Sequence, residues 1–279
     1  MIEYSHFDNL TTGIFENTDM VQVIDVPRLH LYPDRLKRVA DTYNKFSWDK
    51  IASVGEDTPH IHEWVFPENH LFTGVQHSND VVGYDIDYYE PETDDGDPSG
   101  KKVTREKIYF YEWTHRRFGK HLPWAKYWYD LVNDLECVIE KLLPAFDLPE
   151  NSYTQRQLNL IKYECKEASS NEELKIHRRE SSDRFGVDHI DGTLFGLHLG
   201  ESHPEVQAKP DGADEYAKPD LTGNKVLLLV GEHAADLKNG RGCDHRLFYN
   251  GDYLAKSRYS LVLDITLRFK DEEDLEHPM

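Results

Sequence analysis

Cysteine is scarce in this 279-residue chain, which has only Cys137, Cys165 and Cys243. The number is odd and no CxxC pair occurs, so a disulfide framework is not expected and a reducing compartment fits. Positive charge is also in short supply: 32 Lys and Arg stand against 52 Asp and Glu, a formal net charge of -20. Such a surface repels phosphate backbones and anionic lipid, which argues against nucleic-acid and membrane partners. No apolar run approaches the length of a membrane span. The opening MIEYSHFDNLTTGIF lacks a basic stretch followed by an apolar one, so no secretory signal is expected and a cytoplasmic location follows. There is no GxSxG elbow, no GxGxxG fingerprint and no P-loop, which argues against the common hydrolase, dinucleotide and nucleotide sites.

What is present supports a folded, β-rich chain. Hydrophobic residues make up 38% and aromatics 12%, with 16 Tyr, 12 Phe and 5 Trp, enough for a buried core with aromatic strands. Val21 to Val26 (VQVIDV) alternates and is β-branched, so it reads as a strand. A helix opens at Pro33 and Asp34, with Leu36, Val39, Ala40 and Tyr43 on one face. Residues 48 to 90 carry short aromatic runs whose order the pattern does not fix. Pro91 to Lys102 reads as a loop; its Asp94, Asp95 and Asp97 lack the spacing and terminal Glu of a calcium loop. Trp124, Trp128, Leu131, Leu135, Val138 and Leu142 recur at helical spacing, giving one long amphipathic helix that ends near Ala145.

After Asn151 the texture changes. QLNLIKYEC, GTLFGLHL, NKVLLLVG and RYSLVLDITLRF are strand-like runs between turns. The fold expected is mainly β with flanking α: a distorted double-stranded β-helix, or jelly roll, with N-terminal helices. The division expected is a mixed helical and strand layer over 1–150, packed on a catalytic β core over 151–279.

One constellation carries chemistry. In VDHIDGTLF, strand alternation turns His189 and Asp191 to one face and Ile190 to the other. His245 lies 56 positions beyond His189, far enough for strands to cross and return. Two histidines and one carboxylate with open positions are the facial triad of non-haem Fe(II) oxygenases. Thirteen positions after His245 stands Arg258, which shares a strand face with Ser260. A guanidinium fork and a hydroxyl together suit the far carboxylate of a dicarboxylic co-substrate.

These residues resemble the Fe(II)/2-oxoglutarate-dependent dioxygenase superfamily, within its isopenicillin N synthase-like group. VLLLVGEHAADLKNGRGCDHRLF is similar to the family stretch in which a strand and turn lead through "NG", here Asn239-Gly240, to the distal ligand histidine. Leu135 to Tyr153 resembles the helix and Leu-Pro exit before the barrel, and VQVIDVPRL the opening strand. The resemblance implies that Fe(II) is held by His189, Asp191 and His245, that 2-oxoglutarate and O2 are co-substrates, and that Arg258 and Ser260 grip the 2-oxoglutarate. It also implies a co-substrate contact for Tyr163, although the Pro-rich turn usual after that tyrosine is replaced here by Glu164 and Cys165. The expected reaction is oxidation of a C–H bond in a small metabolite, by hydroxylation, desaturation or oxidative cyclisation. An amino-acid- or amine-derived compound of specialised, natural-product metabolism is the expected substrate. Two other readings remain: an iron oxidase that uses O2 without 2-oxoglutarate, and a non-catalytic jelly roll that holds a metal for structure.

Lesser features read as structural. His60-Ile61-His62-Glu63 has no further ligand at a telling distance, and Cys243 reads as a small packed residue beside His245. The basic island His177-Arg178-Arg179 with Arg184 reads as paired with neighbouring acids, or else as bordering the site mouth.

Overall fold

The computed structural model describes residues 3–16, 18–47, 60–65, 72–78, 82–89, 103–111, 125–165, 184–204, 206–210, 212–234, 242–248 and 257–269. In chain order the elements are β1 (Glu3–His6), β2 (Met20–Ile24), α1 (Arg35–Lys45), β3 (His60–Val65), β4 (Phe72–Ser78), β5 (Val82–Tyr89) and β6 (Val103–Tyr111). They continue with α2 (Lys126–Leu142), β7 (Ser152–Cys165), β8 (Arg184–His189), β9 (Phe195–Glu201), β10 (Val206–Lys209), β11 (Val226–Val230), β12 (Asp244–Phe248) and β13 (Arg258–Phe269).

The strands form two sheets. One has ten strands in the order β1-β2-β11-β9-β13-β7-β6-β5-β4-β3, and the other has three, β10-β12-β8. Pairing is antiparallel throughout except where β1 runs parallel to β2. The expected mainly β jelly-roll core with flanking helices is borne out. Strands from the first 150 residues, β1 to β6, hydrogen-bond into the same large sheet as β7, β9, β11 and β13.

Period-two alternation decides what each face of that sheet meets. Val21, Val23, Leu197, Leu199, Val226, Leu228, Leu261, Leu263 and Ile265 belong to the main core. Trp128, Leu131, Leu135, Val138, Ile139 and Leu142 of α2 join them there. Residues of opposite parity turn toward the small sheet. Met20, Leu227 and Leu229 cluster with Val206, Ala208 and Cys243. Strand β11 is thus covered on both faces, which is why VLLLV carries no polar position. The α2 stripe ends as expected, with Leu143–Ala145 closing in a 3-10 turn that contains Pro144.

Two buried side chains, Arg35 and Trp128, pin the helices by hydrogen bonds. Arg35 reaches through α1 to three carbonyls, Leu199 at 2.6 Å, Tyr32 at 3.2 Å and Gly223 at 2.9 Å. Trp128 donates its indole N–H to Thr42 Oγ1 at 2.9 Å, joining α2 to α1. Trp128→Ala removes that bond and leaves a large void, so it is expected to lower stability by roughly 3–5 kcal/mol in urea titration. A loss under about 1 kcal/mol would contradict the placement of this side chain in the core.

Candidate metal centre

The centre sits where the small sheet faces the large one. His189 closes β8, and β12 places His245 directly opposite it. Their rings lie 4.4 Å apart between centroids. Asp191 is not on the strand: β8 ends at His189, and the chain turns, holding the Asp191 carbonyl on the amides of Thr193 at 2.8 Å and Glu232 at 2.9 Å. That turn needs Gly231, because a Cβ there would lie 2.2 Å from the Thr193 carbonyl oxygen. The turn still brings the side chains together. Asp191 Oδ1 is 3.4 Å from His189 Nε2, and Oδ2 is 3.5 Å from His245 Nε2. One donor atom from each of the three residues lies within 4.8 Å of the others.

These donors fit a divalent ion. Metal–ligand bonds of roughly 2.0–2.2 Å place neighbouring donors about 3 Å apart, a small contraction from the distances present. His245 is already oriented, since its Nδ1 lies 3.3 Å from the Cys243 carbonyl and that contact leaves Nε2 to the centre. Burial raises the Asp191 carboxyl, but His245 and His189 outweigh it and hold the group well below the ordinary carboxylate range. Burial also keeps His245 neutral by lowering its pKa. An anionic carboxylate and a neutral imidazole are the forms that bind metal.

Beside the three donors lies a cavity of about 130 Å³, lined among others by Arg105, Lys107, Asn159, Tyr163, His198, Ser260 and Asp264. Sequence reasoning did not single out Arg105, Lys107, Asn159, His198 or Asp264, though strand parity points to two of them. Asp264 shares a face with Arg258 and Ser260, and Asn159 shares one with Tyr163. Asp264 Oδ2 accepts from Asn159 Nδ2 at 2.6 Å, while Oδ1 is sealed from solvent with no hydrogen-bond partner among the described residues. A methyl group on Gly196 would meet Asp264 Oδ1 at 3.5 Å and Asp191 Oδ2 at 3.8 Å, so the two carboxylates flank one spot. Burial, then the charge of Asp191, pushes Asp264 up to about 7. His198, from β9, stands with its ring 5.6 Å from that of His245 and has an unpartnered Nε2 among the described residues. Burial, then His245, depresses it to about 3.

The expected co-substrate residues divide. Ser260 and Tyr163 line the cavity. Arg258 pairs with Tyr163 across β13 and β7, but its guanidinium is 1% exposed and forms an ion pair with Glu201. Sequence reasoning missed Glu201 altogether. Cys243 is packed among Met20, Leu227 and Leu229, and burial raises its thiol, as suits a packed residue. Asp94, Asp95, Asp97, His177, Arg178, Arg179, Asn239 and Gly240 lie outside the described residues, as do the side chains of His60, His62 and Arg184.

No protein-family model matches the sequence, and no curated protein matches it. Solved structures do match. AtDAO1, a dioxygenase for auxin oxidation from Arabidopsis thaliana solved with 2-oxoglutarate, aligns over 97% of this chain and 94% of its own, at 14% identity and TM-score 0.58. A full-length Neurospora crassa protein, solved in complex with alpha-KG and thymine, aligns over 97% of this chain and 87% of its own, at 14% identity and TM-score 0.59. JOX2, solved with 2OG, Fe and JA, aligns over 96% of this chain and 75% of its own, at 13% identity and TM-score 0.56. The chain has the fold of the Fe(II)/2-oxoglutarate-dependent dioxygenases, which bears out at that level the resemblance read from its motifs.

Two outcomes follow from the geometry. His245→Ala removes a donor, and Fe(II) affinity measured anaerobically by equilibrium dialysis is expected to fall by more than about 100-fold, beyond what loss of an outer partner causes. Unchanged affinity would dismiss His245 as a ligand. The second outcome concerns pH. The unfolded His198 imidazole takes a proton near 6.5, whereas burial and then His245 depress the folded one to about 3. Its contribution to stability is therefore full above about 6.5 and is lost as pH falls toward about 3. Metal-free His198→Leu should lose about 2 kcal/mol less than the parent between about pH 7 and pH 5 in urea titration. Parallel losses would show that His198 accepts a proton freely in the folded state.

Proposed function

We propose that this chain is an Fe(II)- and 2-oxoglutarate-dependent oxygenase acting on a C–H bond of a small metabolite. The observation that carries the reading is the convergence of His189, Asp191 and His245 beside an open cavity. Three protein donors leave coordination positions free, whereas a structural site closes them.

When bound, the iron with 2-oxoglutarate and O2 supplies the oxidising chemistry, releasing succinate and CO2. The chain supplies binding and orientation. His189 and His245 donate lone pairs and Asp191 its anionic oxygen. Ser260 offers a hydroxyl, and Arg258 a guanidinium edge, to the far carboxylate of 2-oxoglutarate; Tyr163 borders the same end. Ile161, Val206 and Val262 give the cavity its apolar wall. Asp264 Oδ1 has no hydrogen-bond partner among the described residues and stands beside the three donors. A buried polar atom so placed supports a substrate that brings a hydrogen-bonding group of its own, and an amine- or amino-acid-derived metabolite of specialised metabolism has one.

An iron oxidase without 2-oxoglutarate is the second reading, because Arg258 already has a carboxylate partner in Glu201. Succinate release separates the two. Incubation with Fe(II), 2-oxoglutarate, ascorbate and a panel of amine-bearing metabolites, read by mass spectrometry, is expected to give succinate and a product altered in mass by oxygen gain or hydrogen loss. Arg258→Gln should raise the 2-oxoglutarate KM by a factor matching roughly 2–5 kcal/mol while moving the substrate KM little. Product without succinate would favour the oxidase.

A further inference from the structure

We propose that Glu201 is an internal competitor for the co-substrate's far carboxylate, and that its ion pair with Arg258 sets how strongly a dicarboxylic 2-oxo acid is preferred over a monocarboxylic one. The inference rests on the reading above, in which Arg258 meets 2-oxoglutarate.

A break in strand parity puts Glu201 there. In a regular strand, residues three apart face opposite sides, so His198 and Glu201 would diverge. Between β9 and β13 the register shifts: Leu261 pairs with Gly200 and Ser260 with Glu201, but Val262 pairs with His198. Leu199 is the extra residue, and Gly200, at φ 152°, takes the bend. The bulge turns Glu201 to the face that carries Ser260 and Arg258.

Once there, Glu201 is held fast. Its oxygens accept from the Val206 amide at 3.3 and 3.1 Å, and Oε2 accepts from Arg258 Nη2 at 2.5 Å. The two side chains are 1% and 3% exposed, so water does little to screen them. Arg258 and Glu201 together carry no net charge. At Arg258, a ligand carboxylate arriving beside Ser260 therefore meets a cation that already serves an anion. It must share the guanidinium with a second carboxylate at close range, in a poorly screened place. That sharing weakens a dicarboxylate. It does not touch a 2-oxo acid whose far end is a methyl group, because that acid leaves the Arg258–Glu201 pair alone.

The test compares two probes on the anaerobic Fe(II) protein by isothermal titration: 2-oxoglutarate, and 2-oxopentanoate, which keeps the chelating end but lacks the far carboxylate. Glu201→Gln keeps the shape and an acceptor for the Val206 amide but removes the charge. It is expected to lower the 2-oxoglutarate Kd by about tenfold or more (~1.4 kcal/mol) while leaving the 2-oxopentanoate Kd within about twofold. Glu201→Asp, whose shorter arm loosens the pair, is expected to tighten 2-oxoglutarate to a lesser degree, and it carries the test alone if Glu201→Gln does not fold. A general structural disturbance would move both acids together. If 2-oxoglutarate binds no tighter to either variant while Arg258→Gln still weakens it, Glu201 is a support for Arg258 and the inference is overturned with the function standing. If Arg258→Gln also leaves the 2-oxoglutarate Kd unchanged, the role of Arg258 falls with it.

Discussion

Twelve residue pairs join β13 to β7, from Arg258 facing Tyr163 at one end to Phe269 facing Ser152 at the other. That register sorts both strands at once. Leu158, Leu160, Leu261, Leu263 and Ile265 go to the main core, while Asn159, Ile161, Tyr163, Ser260, Val262 and Asp264 go to the cavity. A slip of one residue would send the leucines to the cavity and the polar set into the core. The polar residues at the candidate centre are therefore held in place by the burial of their apolar neighbours. The small sheet then needs only to present His189 and His245 across from this wall.

The charges follow a similar logic. The chain is strongly acidic overall, yet Arg35, Arg258, His198 and His245 are buried, along with Glu201, each against named partners or beside the cavity. Burial and the neighbouring Asp191 disfavour a second anion at Asp264. At Asp191 the nearby histidines outweigh burial and favour the anion. Two carboxyl groups flanking one spot are thus pushed apart in proton affinity, and only one is available as a charged donor.

Much of this was legible in the sequence, and the remainder was hidden for identifiable reasons. RYSLVLDITLRF, NKVLLLVG and the α2 stripe carry strong periodicity, and each forms the element it predicts. His189, Asp191 and His245 do meet, but by a different route: alternation along one strand was expected, whereas β8 stops at His189 and a turn delivers Asp191. The strands β3 to β5 were not ordered from sequence because runs such as FTGVQHS and VGYDIDYY set polar residues against aromatics and leave no clean aliphatic face. Glu201 was invisible for a geometric reason, since a bulge reverses the parity on which strand reading depends. Asp264 was visible by parity, as the one acid in an otherwise apolar strand segment on the Arg258 face.

The central claim is that three side chains hold one ion on one face and leave the opposite face to ligands. It is tested most directly by a crystal structure of the protein grown with manganese(II), an oxygen-stable stand-in for iron(II), and 2-oxoglutarate. The account predicts a single ion bound by His189, by a carboxylate oxygen of Asp191 and by Nε2 of His245, with the remaining positions filled by 2-oxoglutarate or water. An ion bound elsewhere, or one enclosed entirely by protein donors, would contradict it.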